Sequence, residues 1–321
     1  MLSRVADSIY WMCRYIERAE NYSRFMDVNL SLIMDMRGDI AEQWEPLVRI
    51  TGDNALFVSL YNDRYARDEV IEFLTFDQNN PNAILSCITQ ARENARTVRE
   101  IISSEMWQQI NELYLSVREF GNVGEEALSE YYRKIKKGAH LFNGTMDATL
   151  THNEAYHFAN TGRLIERADK TDRILDMKYF YLLPRVEDVG SPLDYLQWSA
   201  LLRSTSAYEM YRKKYGKLEY RNIINLLLFD QDFPRAVRFS LQEADHSLHT
   251  ISGAPSGTFA NAAEKEMGKL ISRLSFDDTE DVITFGLHEY LDNLQVAMNS
   301  VSREIFNVFF SRSQLLEQKK I

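Results

Sequence analysis

The chain of 321 residues is long enough to bury a sizeable core, and its 45% hydrophobic and 26% charged residues are ordinary globular fractions. A net charge of −10 repels phosphodiester backbones and anionic lipid, which argues against nucleic acid and membrane surfaces as general partners. Cys13 and Cys87 lie in apolar helical stretches and read as buried free thiols of a reducing compartment. No apolar run approaches the ~20 residues that span a bilayer, and the N-terminal MLSRVADSIYW lacks a signal-like apolar core, so a cytoplasmic protein is expected.

In chain order, residues from about Ser3 to Met36 read as one long helix. At about 100° per residue, Val5, Ile9, Met12, Ile16, Ala19, Met26 and Leu30 share one arc, while Arg14, Glu17, Asn21 and Arg24 share another. Tyr10, Val28 and Leu32 border the polar arc, so this helix is apolar on most of its circumference and belongs at the centre of a bundle. Gly38 suits its C-terminal cap. Glu42–Leu60 reads as short helices broken at Thr51-Gly52-Asp53, followed by Ala66–Phe76. Asp77-Gln78-Asn79-Asn80-Pro81 is a corner between helices, with Pro81 expected at the first helical position. Helices over Pro81–Ser103 and Glu105–Phe120, a loop at Gly121–Gly124, and a helix from about Glu125 to Thr145 complete the first half.

Thr151-His152-Asn153-Glu154 is a plausible cap for a helix to about Leu183. After a loop over Pro184–Pro192, Leu193–Tyr215 breaks around Ser204–Ser206. Glu219–Phe229 reaches a second corner, Asp230–Pro234, and Pro234–Ile251 follows. The loop Ser252–Gly257 is rich in turn formers. Helices near Phe259–Leu274 and Thr279–Phe310 precede a tail, SRSQLLEQKKI, that can fray. Alternating strand patterns are absent.

Two stretches echo each other. RYIERAENYSRFMD (Arg14–Asp27) and RLIERADKTDRILD (Arg163–Asp176) match at an offset of 149 residues, as R-x-x-E-R-A-[ED]-x-x-x-R-x-x-D. LTFDQNNPNA (Leu74–Ala83) and LLFDQDFPRA (Leu227–Ala236) match at 153, which requires only four extra residues in between. A period this long implies two copies of one multi-helix unit. The expected fold is all-α: a duplicated multi-helix bundle of roughly ten to thirteen helices, with pseudo-two-fold halves at residues 1–148 and 149–321 packed as one globular unit.

The twin motif admits two readings. In the first, the charges pair along each helix: Glu20 with Arg24 and Asp169 with Arg173 at i,i+4, and Arg14 with Glu17, Arg163 with Glu166, Arg24 with Asp27 and Arg173 with Asp176 at i,i+3. If the helices cross, Glu17 can clasp Arg163 or Arg167 while Glu166 reciprocates, fixing register. In the second, the copies enclose a polar pocket. Arg14, Arg18, Arg163 and Arg167 would hold a carboxylate or phosphate there, and Glu17 or Glu166 would be a candidate catalytic base. Arg92 and Arg96 would extend that pocket, and Asn153 and Glu154 are further candidate binding residues. Arg92, Arg96 and Arg99 form a basic stripe that the other half lacks, since Asp245, His249 and Ser252 stand at the matched positions. That stripe suits a solvated face, an anion-binding wall or an acidic partner. Two E-x-x-H pairs, Glu154/His157 and Glu243/His246, raise a di-metal bundle. However, Glu154 and Glu166 would sit three turns apart on one helix, and neither metal nor cofactor is expected. Phosphate cradles, nucleophile elbows and C-x-x-C pairs are absent.

YWMCRYIERAEN, the Pro81 corner, ARENARTVREIISSEMW and THNEAYHFANTGRLIERADKTDRILDMKY, in this order and over essentially the whole chain, resemble the alpha-E family, an α-helical domain with a repeated ER motif. Gly162-Arg163-Leu164 fits the family pattern, whereas Cys13 stands where the first copy would often have glycine. The resemblance implies a bacterial cytoplasmic protein associated with circularly permuted ATP-grasp proteins and transglutaminase-like cysteine peptidases, in a setting of ATP-dependent amide or peptide bond formation. The function expected is a non-hydrolytic helical partner that binds such a ligase or presents its peptide or amino-acid substrate. The alternative is an enzyme of acyl or amide transfer using Glu17 or Glu166 as general base.

Overall fold

The computed structural model describes residues 1–35, 44–118, 125–180 and 190–311. They form fifteen α-helices and no strand, two more helices than the upper expectation. The extra pieces come from breaks. Residues 279–310, read as one helix, divide at Gly286, whose φ of 105° no α-helix accommodates, into α14 (Thr279–Phe285) and α15 (Leu287–Ile305). No described helix is long and apolar enough to cross a membrane. Gly38, the Gly121–Gly124 loop, residues 181–189 (the expected helix end at Leu183 and most of the Pro184–Pro192 loop) and residues 312–321 of the C-terminal tail lie outside the described residues.

Two long helices, α1 (Ser3–Asp35) and α8 (Glu154–Phe180), form the axis of the bundle. α1 is flanked by α8, α5 (Ile84–Thr97), α7 (Glu125–Thr149) and α9 (Pro192–Ser204); α8 is flanked by α1, α12 (Val237–Ser252), α15 and α9. Enclosure on several sides explains why apolar residues recur around the whole of α1: Tyr10, Met12, Ile16, Tyr22 and Phe25 are all buried. The two helices run in the same direction, because their contacts advance together. Met1 meets Glu154, Tyr10 meets Gly162, Arg14 meets Glu166, and Tyr22 meets Lys170. Gly162 permits the approach, since a Cβ there would stand 2.4 Å from the Tyr10 carbonyl oxygen. At the matched position Cys13 is buried, its Sγ 3.9 Å from Met146 Sδ.

Between the axis and the surface, α2 (Glu45–Arg49), α3 (Asn54–Tyr61) and α4 (Arg67–Ile71) precede the first corner. In the other half α10 (Tyr208–Tyr215) and α11 (Tyr220–Ile224) precede the second. Each corner is entered through a five-residue π turn, Glu72–Phe76 and Asn225–Phe229. As expected of corner aspartates, Asp77 accepts from the Asn79 amide at 2.8 Å, and Asp230 from those of Asp232 and Phe233 at 2.9 and 2.8 Å. The expectation for Pro81 is corrected: α5 begins at Ile84, and in the other half α12 begins three residues after Pro234. The side chain of buried Asn80 bonds the Phe73 carbonyl and the Asn82 amide, which inserts another turn before the helix. α6 (Ser104–Arg118) packs on α5 and α7, and α13 (Ala262–Phe276) on α12 and α15.

Candidate functional site

The polar arc of α1 faces the polar arc of α8, and the glutamates cross over. Arg18 grips Glu166 with two nitrogens, Nε to Oε1 at 2.6 Å and Nη2 to Oε2 at 3.0 Å. Arg14 Nε donates to Glu166 Oε2 at 2.8 Å, and Lys170 Nζ stands 3.4 Å from Oε1. Reciprocally, Arg167 donates to Glu17 from Nε at 2.9 Å and from Nη2 at 3.0 Å. Asn21 Nδ2 adds a bond of 3.2 Å, and Arg235 Nη1 lies 3.8 Å from Glu17 Oε1. Two parallel helices with an R-x-x-E-R stripe produce this exchange, because each glutamate projects toward the guanidinium matched with its own neighbour.

The rungs are dry. Glu17 is 1% exposed and Glu166 0%. Burial alone would push both carboxyls up, but the cations outweigh it. Arg167 and Arg235 hold Glu17 below the ordinary range, and Arg18, Lys170 and Arg14 hold Glu166 well below it. Glu20 is likewise depressed against burial, by Arg235 at 2.8 Å, by His140 and by Arg24. Every oxygen of Glu17 and Glu166 already accepts a bond from a guanidinium. A general base works best with a pKa near the working pH, whereas both glutamates are held below the ordinary carboxylate range by their guanidinium partners. The arrangement is an ion-pair clasp between two buried helices.

The other residues singled out in sequence fall into three groups. Within the clasp, Glu20 pairs with Arg24 and Asp169 with Arg173 as their i,i+4 spacing predicts, and Asp169 also binds Lys170 at 2.8 Å. Beside it, the i,i+3 pairings give way to longer-range partners. Asp27 takes Lys136 at 2.6 Å, and Asp176 takes His288 Nδ1 at 2.7 Å. Arg163 turns from Glu17 to Asn160 Oδ1 at 2.6 Å and Asp147 at 3.7 Å. Away from it, Asn153 caps the Ala155 amide at 3.0 Å, and the exposed Glu154 takes the Met1 amino group at 2.7 Å. Arg92 bonds Asn111 at 2.8 Å, and Arg92 and Arg96 share Glu93. Neither E-x-x-H pair recruits metal ligands: among the described residues no group of three or more His, Cys, Asp or Glu could hold an ion.

Sequence reasoning missed Arg235, Lys170 and Asn82. Arg235 joins Glu20 and Asn21, while Asn82 accepts from Arg18 and donates to Asp53 at 3.0 Å. Their signal was available, since both corner residues lie inside the second repeated anchor. One further buried acid, Asp172, is 0% exposed and its carboxyl is pushed well above the ordinary range by burial and by Asp169, incompletely offset by Gln295 and Arg173.

Residues 1–310 match the family model Alpha-E, described as a predicted alpha-helical domain with a conserved ER motif. The chain belongs to the Alpha-E family. In this Alpha-E chain the ER pairs are the reciprocal residues Glu17-Arg18 and Glu166-Arg167. It is similar to uncharacterised proteins of Mycobacterium bovis and Mycobacterium tuberculosis, 22% identical over 95% of this chain and 36% of theirs. The chain therefore spans about a third of the length of the curated relatives it matches. A third relative, from another Mycobacterium tuberculosis strain, is 21% identical over the same share. No solved structure matches this Alpha-E chain.

Proposed function

We propose that this chain is a non-hydrolytic helical partner of an ATP-grasp amide ligase in a bacterial cytoplasm, one that binds the ligase or presents its peptide or amino-acid substrate. The observation that carries the reading is the sealing of Glu17 and Glu166. With both carboxylates locked as acceptors, the repeated motif serves to hold two helices rigidly in register, as a presenting scaffold requires. A transglutaminase-like peptidase acting on the same bond would be a second partner. On this reading the chain descends from a doubled helical unit, and its two ER rungs are the retained joint between the copies.

The experiment is co-expression with a circularly permuted ATP-grasp protein from the same genome, followed by pull-down and by ADP release with and without this chain. A stable complex and a change in ligase turnover are expected. Failure to obtain either would sink the proposal.

A further inference from the structure

The stripe that only the first half carries is built into a ladder. Along the face shared by α5 and α6, guanidinium and aromatic groups alternate: Arg118 over Tyr114 at 6.0 Å, Arg92 over Tyr114 at 4.6 Å and over Trp107 at 5.7 Å, then Arg99 over Trp107 at 4.6 Å. The spacing generates it. Trp107 and Tyr114 are seven residues apart on α6, so they recur after two helical turns on one face, while Arg92 lies on α5 and Arg99 in the turn just beyond its end. From Trp107 to Arg118 the ladder covers about 16 Å of helix, the length of about five extended residues.

At its Tyr114 end the ladder opens into a surface cleft of about 400 Å³, within the size range of ligand sites. Tyr15 of α1 and Tyr114 of α6 contribute its aromatic lining, Gln78, Ser86 and Gln90 supply polar groups, and Arg118 closes one side. Among the described residues neither the Gln78 nor the Gln90 side chain forms a hydrogen bond within the chain, and neither Arg99 nor Arg118 has a carboxylate partner. Glu93 neutralises part of Arg92 and Arg96. Glu105 and Glu112 stand two positions before Trp107 and Tyr114, which turns them about 200° around α6 to its far side. The face therefore carries a local positive excess on a chain of net charge −10.

We propose that this ladder and cleft form a docking track for an extended acidic peptide segment of a partner protein. Guanidinium groups stacked on rings keep their N–H edges free for carboxylates, and the stacking pre-organises them. Each free carboxamide offers a donor and an acceptor, the pair that a peptide backbone presents. The overall acidic field opposes a polyphosphate chain, whose charge extends beyond this strip. Matched positions in the other half are Asp245, His249 and Ser252, so packing common to both halves does not explain the stripe. The track borders the ER clasp at Tyr15, whose ring Arg18 overlies at 5.7 Å, but none of its anion-binding groups belongs to the clasp and its test needs no ligase, so a failed pull-down and a failed peptide titration are separate results.

The test uses the full chain and fluorescence anisotropy with a labelled decapeptide of alternating Glu and Gly, its Lys–Gly counterpart, and an oligouridylate of equal charge. The acidic peptide is expected to bind, more weakly as salt rises from about 50 to about 300 mM. The double variant Arg99→Gln/Arg118→Gln should weaken binding by about tenfold or more while leaving the circular dichroism spectrum unchanged, because both side chains are exposed and without ion pairs among the described residues. No binding of the acidic peptide, equal binding of the Lys–Gly peptide, tighter binding of the oligouridylate, or undiminished binding by the double variant overturns the proposal.

Discussion

The two rungs of the clasp share a motif but not a way of neutralising it. Glu166 is held by Arg14 and Arg18 across the helix pair and by Lys170 on its own helix, with the neutral corner residue Asn82 taking a remaining nitrogen of Arg18. Glu17 is held by Arg167 across the pair and approached by the corner residue Arg235, and its own helix contributes the neutral Asn21. Lys170 and Asn21 occupy matched positions of the first anchor, and Asn82 and Arg235 of the second. The supporting cation thus sits on the axial helix in one rung and on the corner in the other. What the buried carboxylate requires is a compensating positive charge within reach, and the element that delivers it is interchangeable.

Removing the charge from the more heavily loaded rung is the largest expected perturbation. Glu166→Gln leaves Arg14, Arg18 and Lys170 facing one another in a dry interface, and should cost about 3–5 kcal/mol in urea unfolding. Glu17→Gln should cost less, about 2–3 kcal/mol, because Arg235 keeps Glu20 and Asn21. Equal losses would mean that the rungs are equivalent and that the comparison fails.

Gly162→Ala probes the spacing that both rungs depend on. Alanine gains about 1 kcal/mol of helix propensity, but its Cβ would meet a backbone oxygen that cannot move without shifting α1. A net loss of about 1–3 kcal/mol is expected, read as a lowered thermal midpoint.

Acid response separates the rungs from Asp172. Glu17, Glu20 and Glu166 have depressed folded pKa values, so their stabilisation is complete above about pH 4.3 and drains away as pH falls further. Asp172 is raised, so its contribution has the opposite sign: it is present at low pH and lost as pH rises above about 4. Asp172→Asn should therefore raise stability near pH 7.5 by about 1–2 kcal/mol, with the gain vanishing below about pH 4. A gain that is constant with pH would show that ionisation is not its cause.

The smallest effect is also the sharpest test of interchangeability. Lys170→Asn should cost about 1–2 kcal/mol, and adding Asn82→Arg, which copies the other rung, should recover about 0.5–1 kcal/mol of it in a double-mutant cycle. No coupling between the two sites would refute the exchange of cations.

Much of this was legible before any coordinates. The 3.6-residue periodicity located α1 and α8, and the apolar residues bordering the polar arc of α1 marked it as central, as its buried Tyr10 and Tyr22 bear out. The pairing of Glu17 with Arg167 and of Glu166 with Arg18 was one of the options that the twin motif allowed. Three features were not legible. The π turns at Glu72–Phe76 and Asn225–Phe229 carry no residue signature. The extra turn at Pro81 depends on Asn80 reaching the Phe73 carbonyl. Gly286 resembles any other helical glycine until its φ is known.

By itself, the sequence determined what is local and periodic: an all-α chain, the charged stripes, the corner aspartates, and the basic stripe confined to one half. Only the tertiary structure decided which charge meets which. A stripe of arginines and glutamates satisfies pairing along its own helix as well as across to a neighbour, and the choice depends on helix direction, close approach at Gly162, and exclusion of water. Those are properties of two packed helices. For that reason the pairs of Asp27 with Lys136 and Asp176 with His288 emerged only with the fold, as did the places of Arg235 and Lys170 in the clasp.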